Sequence, residues 1–379
     1  MIRLLLLQFL FAWTLFAAEQ PGLSVRDCGA VGDGRADDSE AFAKAAERCL
    51  KEGRRLIVPA GDYLVTRKIV CFRWDRELGR RSLSISGEGP RASRIHFRPA
   101  APDAVLFEHA EWFIVKDLAV DAVVEDKSAP SGIVFATPLS VQSALSSYEN
   151  INIRGRFRIA WFNRFTMHDQ WRNVSSNGPA CHFLFATSAS YLKPLETPKA
   201  GWNGGVEGWF HNLATFDGVL CNGGEVGIAG AVMQFNFVQL TTQGQAGGAT
   251  NVVLPPGAPG TGLYLTGPEG KGGSLRGNSI GAFYAEQTPR PICLRNAGTL
   301  RASSIFLQGG ADKPFPVAFD LEQSRVSVGS LTVRMPFTRL CQAKKGSLLV
   351  VELHDGPRPA SDADGDSRVR LDTLGETGK

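Results

Sequence analysis

The chain has 379 residues, is 43% hydrophobic and 21% charged, and carries a formal net charge of +4. These values describe a folded globular protein and exclude a disordered or fibrous one. No dense run of Lys or Arg appears, so nucleic acid is excluded as the expected partner, while a weak positive balance is compatible with an acidic polysaccharide without selecting one.

Met1-Ile2-Arg3 supplies a positive start, Leu4 to Phe16 is apolar apart from Gln8 and Thr14, and Ala17-Ala18 offers small residues before Glu19. This pattern predicts a signal peptide over residues 1–18 and a secreted or periplasmic protein. The run is short for a membrane span, and no later segment reads as one. Seven cysteines follow without a CxxC spacing, which predicts unpaired buried thiols and no zinc site.

A short strand at Leu23-Ser24-Val25 precedes the turn Gly29–Gly34. Asp37 stands three residues before Glu40, the spacing of a capping box. Ala41, Phe42, Ala45, Ala46, Cys49 and Leu50 then follow with helical period, and Gly53 closes a helix near residues 38–52. Leu56-Ile57-Val58 and Tyr63-Leu64-Val65 read as strands around a Pro59–Asp62 turn.

The strings VRDCGAVGDGRADDSEAFAKAAERC from Val25 and RRLIVPAGDYLV from Arg54 closely resemble the N-terminal signature of pectate-lyase-superfamily β-helix proteins. That group includes lyases, polygalacturonase-like hydrolases, glucanases, epimerases and phage tailspikes. The resemblance implies an all-β, single-stranded right-handed parallel β-helix with an N-terminal capping α-helix, and does not imply one reaction. Asp37-Asp38 belongs to this shared signature and reads as a cap and turn.

The remaining chain is consistent with a solenoid of about ten coils over residues 19–354. Strand-like runs place Asn150, Asn173, Asn212, Asn236 and Asn278 at spacings of 23, 39, 24 and 42. Asn tolerates left-handed backbone at a coil corner and can stack in ladders. Polar, Gly/Pro-rich insertions at 186–206 and 244–260 interrupt the rhythm. Residues 355–379 read as a flexible tail, in which Asp362, Asp364 and Asp366 mimic a calcium loop whose expected acid falls on Thr373.

The polygalacturonase-type strings (an adjacent Asp pair in the middle coils, GHG and RxK) and the epimerase DPH string are absent. Candidate catalytic residues therefore come from the coils beside the insertions: Asp217, Glu286 and His211. Glu207, Trp202, Trp209 and Trp171 are candidate substrate contacts, the indoles as platforms for sugar rings. His168-Asp169 with Trp171 forms a weaker second group. Asp217 and Glu286 would lie two rungs apart, facing a groove walled by both insertions. The expected function is secreted polysaccharide cleavage, by a glycoside hydrolase or by a lyase acting on a uronate polymer. The hydrolase is favoured because carboxylates outnumber placed cations over residues 207–287. No cofactor is expected, except calcium if the protein is a lyase. A non-catalytic glycan-binding or adhesive β-helix, or a tailspike-like protein, is the alternative. Monomer and trimer both remain open.

Overall fold

The computed structural model describes residues 21–373 apart from 76–78, 124–128, 139–142, 165, 186–210, 247–253, 255–256, 267–276, 311–313 and 357–359. The expected signal peptide lies outside the described residues. Among the described residues, no helix is long and apolar enough to cross a membrane.

The helix α1 spans Ser39–Glu52, with Phe42, Ala45, Ala46 and Cys49 buried on one face and Gly53 left-handed at its end (φ 69°). The expected Asp37–Glu40 capping box does not form. Asp38 is the N-cap residue, but its carboxylate accepts the backbone N–H groups of Val31 (2.7 Å) and Gly32 (3.2 Å). Asp37 accepts from Ser39 N (3.0 Å) and Thr66 Oγ1 (2.8 Å). Glu40 faces Lys44 one turn on (3.5 Å). The paired acids tie the turn and the first coil to α1, so their work is structural.

Beyond this cap the chain winds as a parallel β-helix. Three ribbons of strands run the length of the molecule, each rung pairing in parallel with the next. On the first ribbon Leu23 pairs with Leu56, Leu56 with Ile85 and Val115 with Tyr148, and the ladder continues to Val351 with Leu371. The second follows after a bend: Asp121 pairs with Arg154, Arg154 with Asn177 and Asn177 with Asn222. The third carries Phe107 opposite Phe135, Phe135 opposite Trp161 and Trp161 opposite Phe183. Only the hairpin Phe72–Asp75 with Gly79–Ser82 is antiparallel among the described strands.

The bend between the first two ribbons needs a left-handed residue in successive coils. Asp117, Asn150, Asn173 and Gly218 supply it, with φ of 59°, 50–52° and 63°. Asn150 donates to Asp117 Oδ1 (2.7 Å) and Asn173 donates to Asn150 Oδ1 (3.2 Å), a short side-chain ladder. Two of the five repeated Asn thus do what the sequence suggested. Asn236 instead pairs with Ser279 within a ladder, and buried Asn278 accepts the Phe235 N–H (2.7 Å).

Like residues stack on like inside. Tyr148, Trp171, Phe216 and Phe237 form one near-parallel column, with centroid steps of 5.2, 4.7 and 4.9 Å. Phe107, Phe135, Trp161 and Phe183 form a second, with steps of 5.2, 5.5 and 4.5 Å. The cysteines are unpaired, all buried except half-buried Cys28.

The solenoid also runs past its expected end. Ala360–Ala363 pairs with residues 339–343, and Arg368–Thr373 pairs with residues 348–354. Val369 and Leu371 alternate inward onto the core, which the expectation of a flexible tail from 355 overlooked. Asp364 accepts the Lys345 N–H (2.6 Å), so the calcium-like string is a coil turn.

Two histidines are sealed into this core. His109 meets Tyr148 Oη through Nε2 (2.8 Å); His182 meets Ser176 Oγ through Nδ1 (2.7 Å) and donates from Nε2 to the Gly223 carbonyl (2.9 Å). Burial pushes both down to about 4. A base with a depressed folded pKa takes up its proton first in the unfolded chain. Stability should therefore fall as pH drops from the unfolded value of 6.5 towards 4, by up to about 3 kcal/mol per histidine. Urea titrations at pH 7 and 4.5 should show this loss, and His182→Gln should reduce it by the share of one histidine, leaving that of His109. Trp171→Ala, emptying a site with no exposed surface, should cost about 3–5 kcal/mol in the same assay at pH 7.

Candidate functional site

The outward face of the second ribbon carries a polar column, because alternate residues there point away from the core. Above the buried Leu64, the column runs up the stack through His96, Asp121, Arg154, Asn177, Asn222, Gln243, Glu286, Gln308 and Arg334. Its neighbouring column begins with Asp62 opposite Arg94.

At the α1 end these residues converge. The His96 ring lies between two carboxylates, Nε2 at 2.9 Å from Asp62 Oδ1 and Nδ1 at 4.0 Å from Asp121 Oδ2. A carboxylate only accepts, so Asp62 fixes the proton of the neutral ring on Nε2 and leaves the lone pair on Nδ1. Arg94 grips Asp62 through Nε (2.7 Å) and Nη2 (2.8 Å). Arg154 grips Asp121 in a bidentate pair, both contacts at 2.6 Å. The hydrogen bond from His96, helped by Arg94, holds the Asp62 carboxyl below the usual range against the opposing effect of burial. The group is open to solvent: the His96 side chain is 24% exposed and that of Arg154 44%. Among the described residues, no three His, Cys, Asp or Glu side chains are placed to hold a metal.

This cluster was not among the residues singled out from the sequence. The signal was present: Arg94 and His96 in SRIHF, Asp121 in LAVDA and Arg154 in NINIR are polar residues at matching outward positions of successive strands. Reading them together requires the register.

The expected site fares differently. Asp217 lies on the first ribbon opposite Arg172, before the Gly218 bend, whereas Glu286 lies on the second, opposite Gln243. Two rungs and five residues on either side of a bend separate them, on the order of 15–20 Å, beyond the roughly 6.5–9.5 Å of an inverting pair. The structure therefore does not bring them together. Glu286 accepts from Tyr284 Oη (3.1 Å). Trp171 is not a sugar platform, because it is wholly buried between Tyr148 and Phe216. Its neighbours divide, His168 exposed at a corner and Asp169 buried and accepting from the Ser146 N–H (2.9 Å). Trp202, Glu207 and Trp209 lie outside the described residues, and of His211 only the strand position opposite Val232 is described. The two insertions leave from different corners. One departs the third ribbon after Phe185 and rejoins the first at His211; the other departs the second after Gln243 and rejoins the third at Thr261. A single groove walled by both does not follow from that connectivity.

No curated protein is significantly similar in sequence to this chain. Among solved structures, the A-module of a mannuronan C-5 epimerase from Azotobacter vinelandii superposes with a TM-score of 0.51 at 14% identity, covering 91% of this chain and 99% of that one. The gp42 tailspike of Acinetobacter phage vb_AbaP_AS12 gives 0.60 at 12% identity, over 95% of this chain and 64% of its own. The tailspike of Acinetobacter phage vB_ApiP_P1 gives 0.51 at 11%, over 94% and 60%. At these identities the likeness is one of fold. Residues 22–111 match the family described as rhamnogalacturonase A/epimerase, pectate lyase-like, so the resemblance carried by the N-terminal signature holds over that segment, and by fold the chain is a parallel β-helix protein.

Proposed function

We propose that this protein acts on an acidic polysaccharide outside the cytoplasm, and that His96 abstracts the proton beside a uronate carboxylate. The observation that carries this reading is the imidazole oriented by Asp62 within a solvent-open group that also holds two guanidiniums. Such a reaction needs a base with its lone pair presented and positive charge near the developing enolate. Nδ1 offers the first, and the guanidinium N–H groups that Arg94 and Arg154 keep outside their pairs with Asp62 and Asp121 are available for the second. With the C5 proton on His96, departure of the glycosidic oxygen from C4, protonated by water as the C–O bond breaks, gives an unsaturated uronate; reprotonation of C5 by water from the face opposite His96 instead gives the epimer. Hydrolysis, favoured by residue counts over 207–287, fits this cluster less well. It needs a carboxyl that keeps its proton, and Asp62 is held towards ionisation. Export rests on the pattern of residues 1–18.

The test is a panel of uronate and neutral polymers, reading unsaturated uronate, reducing ends and exchange of the uronate C5 hydrogen with deuterated water. Activity on a uronate polymer is expected, with His96→Gln lowering kcat by about 100-fold or more and leaving the fold unchanged. Undiminished turnover in His96→Gln overturns the assignment of the base. Binding without turnover on every polymer overturns the enzyme in favour of a glycan-binding β-helix.

A further inference from the structure

The outward face of the first ribbon carries a column of charges that alternate in sign from rung to rung. Lys116 lies opposite Glu149, Glu149 opposite Arg172, and Arg172 opposite Asp217, four rungs of alternating sign. Among the described residues none of the four makes an ion pair or a side-chain hydrogen bond, whereas Asp62, Asp121 and Arg154 on the second ribbon are all paired.

Beside this column lies a strip of bulky side chains, three apolar and one a histidine, at the corner that leads into the first ribbon. Trp112, Leu145, His168 and Leu213 occupy it in successive coils, all left-handed with φ of 54–62°. Trp112 is 61% exposed and Leu145 43%, and Ile114 on the adjoining strand is 41% exposed. The conformation is disfavoured for any residue with a Cβ, and most of all for bulky apolar ones. The fold does not demand such residues: the same corner holds Asn296, Gln323 and Lys345 further along the solenoid. Exposed apolar side chains at a costly backbone position point to a surface that is covered.

We infer that this face is a two-fold interface between two copies of this chain, packed with their solenoid axes antiparallel. A two-fold axis running along the strands, between the coils of Glu149 and Arg172, reverses the rung order and keeps lateral position. It sets Lys116 of one copy against Asp217 of the other and Glu149 against Arg172, each twice. The same operation sets Trp112 against Leu213 and Leu145 against His168. The sign order plus, minus, plus, minus is complementary to its own reversal, the requirement of an isologous contact. A second copy in parallel orientation would oppose like charges. The inference goes beyond the glycan reading and does not depend on it.

Sedimentation equilibrium of the full chain tests it, at low and at high salt. A dimer that weakens with ionic strength is expected, because the contacts are surface charges. Lys116→Asp and Asp217→Lys should each weaken dimerisation by ten-fold or more, and the double exchange Lys116→Asp with Asp217→Lys should restore it. Circular dichroism checks that the variants remain folded, and Trp112→Ser, which leaves the charges alone, should also weaken the dimer. A monomer at every concentration, a trimer, or a dimer indifferent to the single reversals overturns the inference, as does failure of the double exchange to restore association.

Discussion

Everything in this molecule hangs on the register of parallel strands at one rung per coil. Because each coil places its residues directly over those of the last, a side chain meets its own kind above and below. Inside, this lets Tyr148, Trp171, Phe216 and Phe237 stack as a column, and Phe107, Phe135, Trp161 and Phe183 as another. Aromatic contacts of this kind add to the burial of the rings themselves. Outside, the same rule places polar residues from distant parts of the chain within hydrogen-bonding range, as with Asp62, His96 and Asp121.

The sequence announced the fold and its first coil well. The N-terminal signature, the helical period from Ala41 to Leu50 and the stop at Gly53 all correspond to α1 and its cap. The site was far less legible. Asp217 and Glu286 looked like partners because rung counting measures only height along the solenoid, and the Gly218 bend puts them on different ribbons. Trp171 looked like a platform because a periodic strand pattern does not by itself say which face is inward; its neighbours Tyr148 and Phe216 settle that only through register. His96 was passed over for the opposite reason, being an isolated histidine in a five-residue strand until the adjoining rungs are aligned.

Corners deserve separate weight from strands in a fold of this kind. Strands repeat a simple alternation, and many residues satisfy it. A left-handed corner is selective, and Asp117, Asn150, Asn173 and Gly218 are residues that accept it readily. Where a corner carries Trp112 or Leu145 instead, the backbone bears a strain that the strand pattern does not reveal.

The two ends of the solenoid are unlike. One is closed by α1, whose buried face covers the first coils. The other finishes, among the described residues, on the strand Arg368–Thr373, in which Arg368, Arg370 and Asp372 alternate with Val369 and Leu371. Stacked copies of a parallel β-helix could in principle continue one another's ladders end to end without limit. A helix at one terminus offers no strand edge to receive such a neighbour, and charged side chains along the other oppose its approach. Among the described residues the two ends of the ladder therefore present unlike surfaces to a neighbour.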